Sequence, residues 1–335
     1  MRNLDKTVVV TVTYGDRAHF LNTLVERALV GENVQKVCVV SNASSSNLNE
    51  IEARWGARVC IIELDSNTGS ANGYYVGIRA ALDDGAEYIC LMDDDNAPTC
   101  GALSCLHEHL EKLSRRIGRH KAAVLGFRPE HQVDVATGVP LGRVVPPRSS
   151  YFGFHFLQIP YKLWRRSPWG RPVGHLVSET AVLPFAPYGG LLAHRALFEE
   201  IGLPERSLCL YADDTEYTWR ITKGGGSILL VTSALLEDLE SSWNVNVGRK
   251  TIFERFLQGD SDFRAYYSCR NQAWFDKFSW SKNRLTFLFN RYLFIFILRV
   301  YAKKMRAQER LALLESAIDD GESARLGQDM RFPLK

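Results

Sequence analysis

The stretch EYICLMDDDNAP, residues 87–98, joins a short apolar run to three consecutive carboxylates. A continuous apolar run of this length is typical of a strand that is buried on both faces of a sheet. Carboxylates at such close spacing repel one another, and a bound cation would offset that repulsion. The stretch therefore predicts a buried strand that ends in an acidic site; a solvated acidic turn is the alternative.

Three more apolar, β-branched runs occur in the first hundred residues: TVVVTVTY (7–14), KVCVVS (36–41) and RVCIIEL (58–64). Segments with helical spacing lie between the runs, among them RAHFLNTLVERALV and ANGYYVGIRAALDDG. This alternation predicts an α/β fold with a Rossmann-like, mostly parallel sheet flanked by helices. Ligands of such sheets bind beyond the carboxyl ends of the strands, where TYGD, SNASSS, DSNTGSANG and DDDNAP occur.

The pattern changes twice along the chain. Residues 128–180 are rich in proline, glycine, aromatic residues and arginine, and they form an excursion that is either scaffolding or a lid that contacts an acceptor. Beyond about residue 240 the sequence has helical spacing. We therefore expect a catalytic domain over residues 1–240 and a C-terminal helical extension over residues 241–335.

Composition restricts the class of protein. The chain has 335 residues, of which 46% are hydrophobic, and this is enough for a large core. Its 41 basic and 38 acidic residues give a net charge of +3, which argues against a nucleic-acid-coating protein. The N-terminus lacks the apolar segment of a secretory signal, so we expect a cytoplasmic location. Seven cysteines, an odd number, favour reduced thiols over a disulfide framework.

The C-terminal segment RLTFLFNRYLFIFILRVYAKKMR is strongly apolar and carries regularly spaced charges. Its longest uncharged stretch, residues 292–298, is far shorter than the roughly 18–20 residues that cross a bilayer. On a helix over residues 282–317, one basic arc would hold Arg284, Arg291, Arg299, Lys303 and Arg306. We expect this helix to lie on the inner face of the cell membrane or on a partner; docking onto the domain or pairing in a dimer is the alternative.

A second acidic cluster, YADDTEYTWR, supplies Asp213, Asp214 and Glu216. If this cluster faces the same crevice as the DDD stretch, one carboxylate could remove a proton from an acceptor hydroxyl. An exposed helix N-terminus is the alternative, since acidic residues suit that end of the helix dipole. Between the clusters, PYGG forms an accessible edge at which we expect contacts to the acceptor from Tyr188, Gly189 and Gly190.

In seven motifs and in their order, the chain resembles the inverting family-2 glycosyltransferases of the GT-A fold. The motifs are VTVTYGDRAHFLNTLVERAL, VCVVSNASSSN, NTGSANGYYVGIRAAL, YICLMDDDNAP, PYGGLLAHRALFEEIGLPE, LYADDTEYTWRITKGG and YYSCRNQAWF. The bacterial galactofuranosyl- and rhamnosyltransferase branch is the most similar. The resemblance covers most of residues 7–275 and implies metal-dependent transfer of a sugar from a UDP or dTDP donor to a lipid-linked glycan in surface polysaccharide synthesis.

The resemblance also implies roles for individual residues. Asp214 would be the catalytic base, with Asp213 and Glu216 positioning the acceptor. The donor nucleotide sugar would contact Thr13, Tyr14, Asp16, Arg17, Asn42, Asn67, Gly73, Asp93 and Asp94.

A Mn²⁺ or Mg²⁺ ion would be held by Asp93, Asp95 and Asp238. Asp238 stands near the position where many relatives place a histidine, and an all-oxygen site suits both ions. Trp243 would stack on an acceptor sugar, with core packing as the alternative.

Two other functions compete with sugar transfer. One is a nucleotide-sugar or glycan-binding protein without turnover, and the other is a sugar nucleotidyltransferase on a similar α/β architecture. The first is disfavoured by Asp214, and the second by the lack of a glycine-rich triphosphate loop near the N-terminus. The sequence leaves the oligomeric state open.

Overall fold

The computed structural model describes residues 3–170, 178–240, 251–259 and 261–334. Within them the strands are β1 (Thr7–Gly15), β2 (Lys36–Ser44), β3 (Val59–Leu64), β4 (Tyr88–Asp93), β5 (Asn96–Pro98), β6 (Ala122–Phe127), β7 (Thr180–Leu183), β8 (Leu191–His194) and β9 (Ser227–Asp238). They pair in the order β3-β2-β1-β4-β8-β6-β9-β5, and β7 pairs with β9. The predicted α/β class is confirmed.

The first four strands pair in parallel, as do β6 and β9. β1 lies between β2 and β4, with Val8 opposite Lys36 and Thr7 opposite Tyr88, and β3 extends the sheet beyond β2. β8 runs antiparallel to both β4 and β6. Because parallel strands present the same end to one edge, the polar sequences that follow β1, β2 and β4 meet there.

Some helices cover the two faces of the sheet, and others form the C-terminal region. They are α1 (Ala18–Glu26), α2 (Asn49–Trp55), α3 (Ser70–Asp83), α4 (Ala102–Ile117), α5 (Pro129–Ala136), α6 (Leu141–Val144), α7 (Ile159–Arg166), α8 (Arg195–Ile201), α9 (Asp213–Lys223), α10 (Ile252–Gln258), α11 (Asp262–Phe275), α12 (Arg284–Met305) and α13 (Gln308–Glu322). α1, α2 and α4 pack on one face, and α3, α8 and α9 pack on the other. Successive valines of β1 alternate between the two cores, which explains its continuous apolar run.

A separate core lies among the C-terminal helices. Tyr151, Phe152 and Phe154 of the predicted excursion are buried in it, against α10 to α13. Aromatic rings supply much of the contact; the rings of Phe152 and Phe294, for example, stack 5.1 Å apart. Part of the excursion thus packs as a component of the helical region, and the predicted domain boundaries stay a prediction.

The predicted helix over residues 282–317 is two helices. Arg306, at a φ of 57°, separates α12 from α13. Among the described residues, α12 is the one helix that is long and apolar enough, by length and composition alone, to cross a membrane. The expectation that it does not cross therefore rests only on its charged residues.

Two arginines of the predicted basic arc form ion pairs with α13, while Arg284, Arg299, Lys303 and Arg306 are exposed. Arg291 pairs with Glu322, and Arg299 pairs with Glu315, so both arginines face α13. The outward face also carries an apolar stripe, exposed by 51–79%: Leu285, Phe289, Tyr292, Phe296 and Val300. These ion pairs, together with the burial of Phe287, Phe294 and Leu298 in the C-terminal core, hold α12 in this orientation.

Candidate functional site

A cleft of about 440 Å³ lies at the carboxyl ends of β1, β2 and β4. Seven of the predicted donor and metal residues line it: Tyr14, Arg17, Asn42, Asn67, Asp93, Asp94 and Asp95. The fold brings them together because the parallel strands end at the same edge of the sheet.

Arg17 holds one end of the acidic turn, which comprises residues 93–95 at the end of β4. Its guanidinium contacts three carboxylates, with Nε 3.0 Å from Asp94, Nη2 2.8 Å from Asp95 and Nη1 2.9 Å from Glu240. Thr13 donates a hydrogen bond of 2.7 Å to Asp94. Burial raises the pKa of Asp94 to about 7, although Arg17 opposes the shift. Asp94 thus points into the protein and joins β1 to the acidic turn.

Arg128 holds the other end of the acidic turn. It directly follows β6, and its Nε donates to Asp238 at 2.8 Å while its Nη1 lies 3.4 Å from Asp93. Tyr74 also donates to Asp93, at 3.0 Å. Burial raises the pKa of Asp93 to about 6, against the effect of Arg128. Sequence reasoning missed Arg128; its position at the end of a buried strand was the signal that could have identified it.

The predicted metal ligands Asp93 and Asp95 lie in this turn, and Asp238 lies opposite Asn96 at the end of β9, but arginines already pair with all three. Among the described residues no group of three histidine, cysteine or acidic side chains could hold a metal ion. Asn96 donates to Asp238 at 2.8 Å, and its buried Oδ1 has no hydrogen-bond partner in the described part of the chain. The residues as arranged do not fit a resident metal, and the Mn²⁺ or Mg²⁺ ion stays a prediction.

The second acidic cluster begins α9. Asp213 accepts a hydrogen bond of 2.9 Å from Ser70, at the start of α3. Asp214 accepts one of 2.6 Å from the backbone N–H of Thr215. Burial, and then the charge of Asp214, raises the pKa of Asp213 to about 7. Burial also raises the pKa of Asp214, so both carboxyl groups are stronger bases than a solvated aspartate.

Glu216 lies differently from the two aspartates. Its carboxylate pairs with Arg220 one turn along α9, at 2.6 Å, and is largely buried. Arg220 in turn donates to the backbone carbonyl groups of Ile201 and Leu203. The structure therefore places Glu216 in a helix-anchoring ion pair, and its role toward an acceptor stays a prediction.

The two acidic clusters share one environment. The charge of Asp214 contributes to the raised pKa of Asp93, and the charge of Asp93 contributes to that of Asp213. The PYGG segment forms the wall between the clusters. A Cβ atom on Gly189 would lie 2.5 Å from Asp93 Oδ2, so only glycine permits this approach. One on Gly190, at a φ of 92°, would lie 2.4 Å from Leu236.

Tyr188 is the polar side chain of that wall. Its ring lies 4.0 Å from the ring of Tyr74. Its hydroxyl is buried and has no hydrogen-bond partner within the described ranges. Burial, together with the charges of Asp213 and Asp214, raises its pKa. The hydroxyl is thus a protonated donor that lies near the carboxylates of Asp213 and Asp214.

The other predicted residues form the rim of the cleft. Asn42 donates to Asn67 at 2.8 Å and accepts from the backbone N–H of Thr68, so these side chains hold the loop before α3. Asp16 accepts from Ser46.

Gly73 has a packing role: a Cβ atom there would lie 2.5 Å from Val12 on β1. Trp243 lies outside the described residues.

Comparison with known proteins gives a family match over the first part of the chain. Residues 8–171 match the family described as Glycosyl transferase family 2. The match covers β1 to β6 and ends before the aspartates of α9. No curated protein matches the chain.

Solved structures show distant similarity. A structure of GalNAc-T7 with UDP, GalNAc and Mn²⁺ is 14% identical at a TM-score of 0.45, covering 69% of this chain and 43% of that one. TarS 1-349 of S. aureus in complex with UDP-GlcNAc is 13% identical at 0.48, covering 94% and 80%. Mannosyltransferase PcManGT from Pyrobaculum calidifontis, with GDP-Man and Mn²⁺, is 14% identical at 0.48, covering 95% and 75%.

The chain spans under half the length of two of the matched structures, GalNAc-T7 and the longer S. aureus TarS structure. Similarity at this level does not identify the donor or the acceptor of this chain. The family 2 match lies on the strands that form the cleft, and the first acidic cluster lines that cleft. Residues 8–171, just under half of the chain, thus carry the match to Glycosyl transferase family 2.

Proposed function

We propose that the chain transfers a sugar of the galactofuranose or rhamnose type from a UDP or dTDP donor to a hydroxyl of a lipid-linked glycan, with inversion at the anomeric carbon. One observation carries the proposal: two acidic clusters, far apart in the sequence, lie close enough that the charge of Asp214 raises the pKa of Asp93 and the charge of Asp93 raises that of Asp213. A donor bound by the first cluster would present its anomeric carbon to an acceptor held at the second.

The reaction is a single displacement. The Asp214 carboxylate takes the proton of the acceptor hydroxyl as the hydroxyl oxygen bonds to the anomeric carbon. The bond from that carbon to the diphosphate oxygen breaks, and the nucleoside diphosphate leaves with the electron pair. The raised pKa of Asp214 makes it a better base for this step. Attack opposite the leaving group inverts the anomeric carbon.

Charge in the cleft is arranged for an anionic donor. Arg17 and Arg128 both line the cleft, and each is engaged by carboxylates. A diphosphate entering beside them would compete for the same guanidinium groups, which bind phosphate oxygens in a forked geometry. A Mn²⁺ or Mg²⁺ ion remains an expectation from the resemblance, and it would require Asp93, Asp95 and Asp238 to leave their arginine partners.

We place the acceptor's lipid at the apolar stripe of α12. Five large apolar side chains, exposed on one helix face, are more than a solvated surface normally carries. Burying such a stripe in the headgroup region of a membrane stabilises the bound state through apolar area. Lys303 and Arg306, both exposed at the end of the helix, would remain at the headgroups. This supports a peripheral position at the inner face of the membrane.

The test is a transfer assay with purified protein, a panel of nucleotide sugars that includes UDP-galactofuranose and dTDP-rhamnose, and membrane lipid extract as acceptor. We expect nucleoside diphosphate release that requires both donor and extract, and product analysis would give the sugar. Release without incorporation of sugar into lipid would contradict the proposed acceptor. Pyrophosphate release from a nucleoside triphosphate would replace the proposal with a nucleotidyltransferase.

A further inference from the structure

The turn that precedes α9 has an unusual backbone. Cys209, Tyr211 and Ala212 have φ angles of 62°, 67° and 59°. None is glycine, and L-residues with a side chain rarely adopt this left-handed region because Cβ approaches the backbone. Three such residues within four positions do not persist unless surrounding groups hold them. The turn ends at Asp213, so its geometry sets where the two aspartates of α9 begin.

The side chain of Asn271, on α11, bonds backbone carbonyl groups of this turn from the side of the C-terminal helices. Its side-chain amide Nδ2 lies 2.7 Å from the carbonyl oxygen of Leu208, 2.7 Å from that of Leu210 and 3.0 Å from that of Tyr211. Asn271 is fully buried. An amide group has two hydrogens, so it donates to three carbonyls by sharing one of them. Both hydrogens of the Asn271 amide therefore donate to this one turn.

Arg270 fixes the orientation of that amide. Its Nε donates to Asn271 Oδ1 at 2.9 Å, so the oxygen and nitrogen of the amide cannot exchange places without losing every contact. The Arg270 guanidinium also donates to the Leu208 carbonyl at 3.3 Å. Arg270 is itself buried, beside the ring of Tyr267. Arg270 and the Asn271 amide therefore form a buried clamp on the turn.

Residues 69–71, at the start of α3, contact the turn from the side of the cleft. The backbone N–H of Ala71 donates to the Cys209 carbonyl at 3.0 Å. A Cβ atom on Gly69 would lie 2.1 Å from that same carbonyl oxygen. Ser70, between these two residues, donates to Asp213. The strained turn thus lies between the cleft and the C-terminal helices and contacts both.

We infer that Asn271 is a positioning residue for transfer: its buried amide holds the left-handed turn at residues 209–212 and thereby places the Asp214 carboxylate at the cleft. The inference rests on the proposed role of Asp214 as the base. It assigns to the C-terminal helices a part in the reaction besides any contact with a membrane. Loss of the clamp lets the turn relax and moves the base, while the donor side of the cleft stays intact.

The experiment compares Asn271→Ala with Asn290→Ala in the full chain. Asn290 is the matched control, since it is also fully buried and bonds main-chain groups of residues 149 and 156, away from the turn. Because a displacement of about 1 Å can cost about a hundredfold in rate, we expect kcat to fall at least about tenfold in Asn271→Ala with donor KM nearly unchanged. Asn290→Ala should lower the melting temperature but leave kcat unchanged.

Rescue separates positioning from general loss of packing. Ala212→Gly removes the cost of a positive φ, so in the Asn271→Ala background it should restore kcat about threefold or more. Hydrogen exchange gives a readout that does not need turnover: amides of residues 208–215 should exchange faster in Asn271→Ala, and those of β1 should not. Unchanged kcat, an equal loss in the Asn290→Ala control, or no gain from Ala212→Gly would overturn the inference.

A second pair of variants covers the case in which Asn271→Ala does not fold. In the otherwise unchanged chain, Ala212→Val introduces a β-branched residue at positive φ and should lower kcat about tenfold, whereas Ala212→Gly should not. Equal kcat in the two variants would overturn the inference. If the unchanged chain transfers no sugar, the proposed function fails, and hydrogen exchange of residues 208–215 still decides whether Asn271 holds the turn.

Discussion

The cleft and α12 both depart from the usual burial of apolar residues and exposure of charged ones. The cleft buries carboxylates, whereas α12 exposes large apolar side chains. In the cleft, Asp93, Asp94 and Asp213 are held in places where burial raises their pKa values. On α12, Phe289 and Phe296 face outward while Arg291 turns inward to Glu322. Buried charges and exposed aromatic stripes both cost stability in an isolated soluble protein. Each departure from the usual distribution fits the ligand proposed for that region: an anionic donor at the cleft and a lipid surface at α12.

The largest expected effect is at the base. Asp214→Asn removes the proposed base and should lower kcat by about a thousandfold, since general base catalysis contributes about 10²–10⁴. Nucleoside diphosphate binding, measured by calorimetry, should persist. Asp84→Asn, at an exposed pair with Lys36, is the matched control and should change nothing. Full activity in Asp214→Asn would move the base elsewhere.

The next effect tests the buried charges of the cleft. Arg128→Ala leaves Asp93 and Asp238 without their shared cation and should destabilise the donor-free protein by about 3 kcal/mol. Arg79→Ala, at an exposed pair with Asp83, should cost less than about 0.5 kcal/mol. Urea unfolding measures both. Equal costs would mean that the cleft carboxylates are solvated. Stabilisation of Arg128→Ala by Mn²⁺ would support the predicted metal ligands.

A smaller effect tests the apolar stripe. Replacing both Phe289 and Phe296 by serine should weaken binding to phosphatidylcholine vesicles about tenfold or more, because two phenyl rings lose their burial. Phe278→Ser is the control, since Phe278 is about as exposed but lies outside α12. Binding of the unchanged chain should survive about 0.5 M salt. Binding that needs phosphatidylserine and disappears in salt would restore the basic-arc explanation, and no binding would remove the membrane proposal.

The smallest expected effect is in the pH profile. The pKa of Asp213 is about 7 and that of Asp214 is raised. A base works only when deprotonated, so the raised pKa of Asp214 means that activity is lost at a higher pH than a solvated aspartate would give. We expect kcat to fall as the pH is lowered, beginning above the range in which a solvated aspartate titrates. Asp213→Asn should move the midpoint to lower pH by removing a like charge. A flat profile would show that the carboxylates are not the titrating groups.

Much of the cleft was predictable because the information is local. The apolar runs identified β1 to β4 to within a few residues, and the acidic stretch after β4 was correctly placed at the edge of the sheet. Asp213 and Asp214 were chosen for their chemistry, and the fold brings them near Asp93. Glu216 shows the limit of this reasoning, because its partner Arg220 lies on the same helix and a DDxE pattern does not reveal it.

The sequence alone determined which segments are strands, where the strands end and which chemical groups stand there, because periodicity and turn residues act over a few neighbours. Only the tertiary structure decided which groups pair. Arg128 meets Asp238 across 110 residues, and Asn271 meets the carbonyl of Leu208 across 63. The outward face of α12 was decided in the same way, by the carboxylates of α13 and by burial in the C-terminal core. Such pairings depend on the packing of distant segments, which no local pattern encodes.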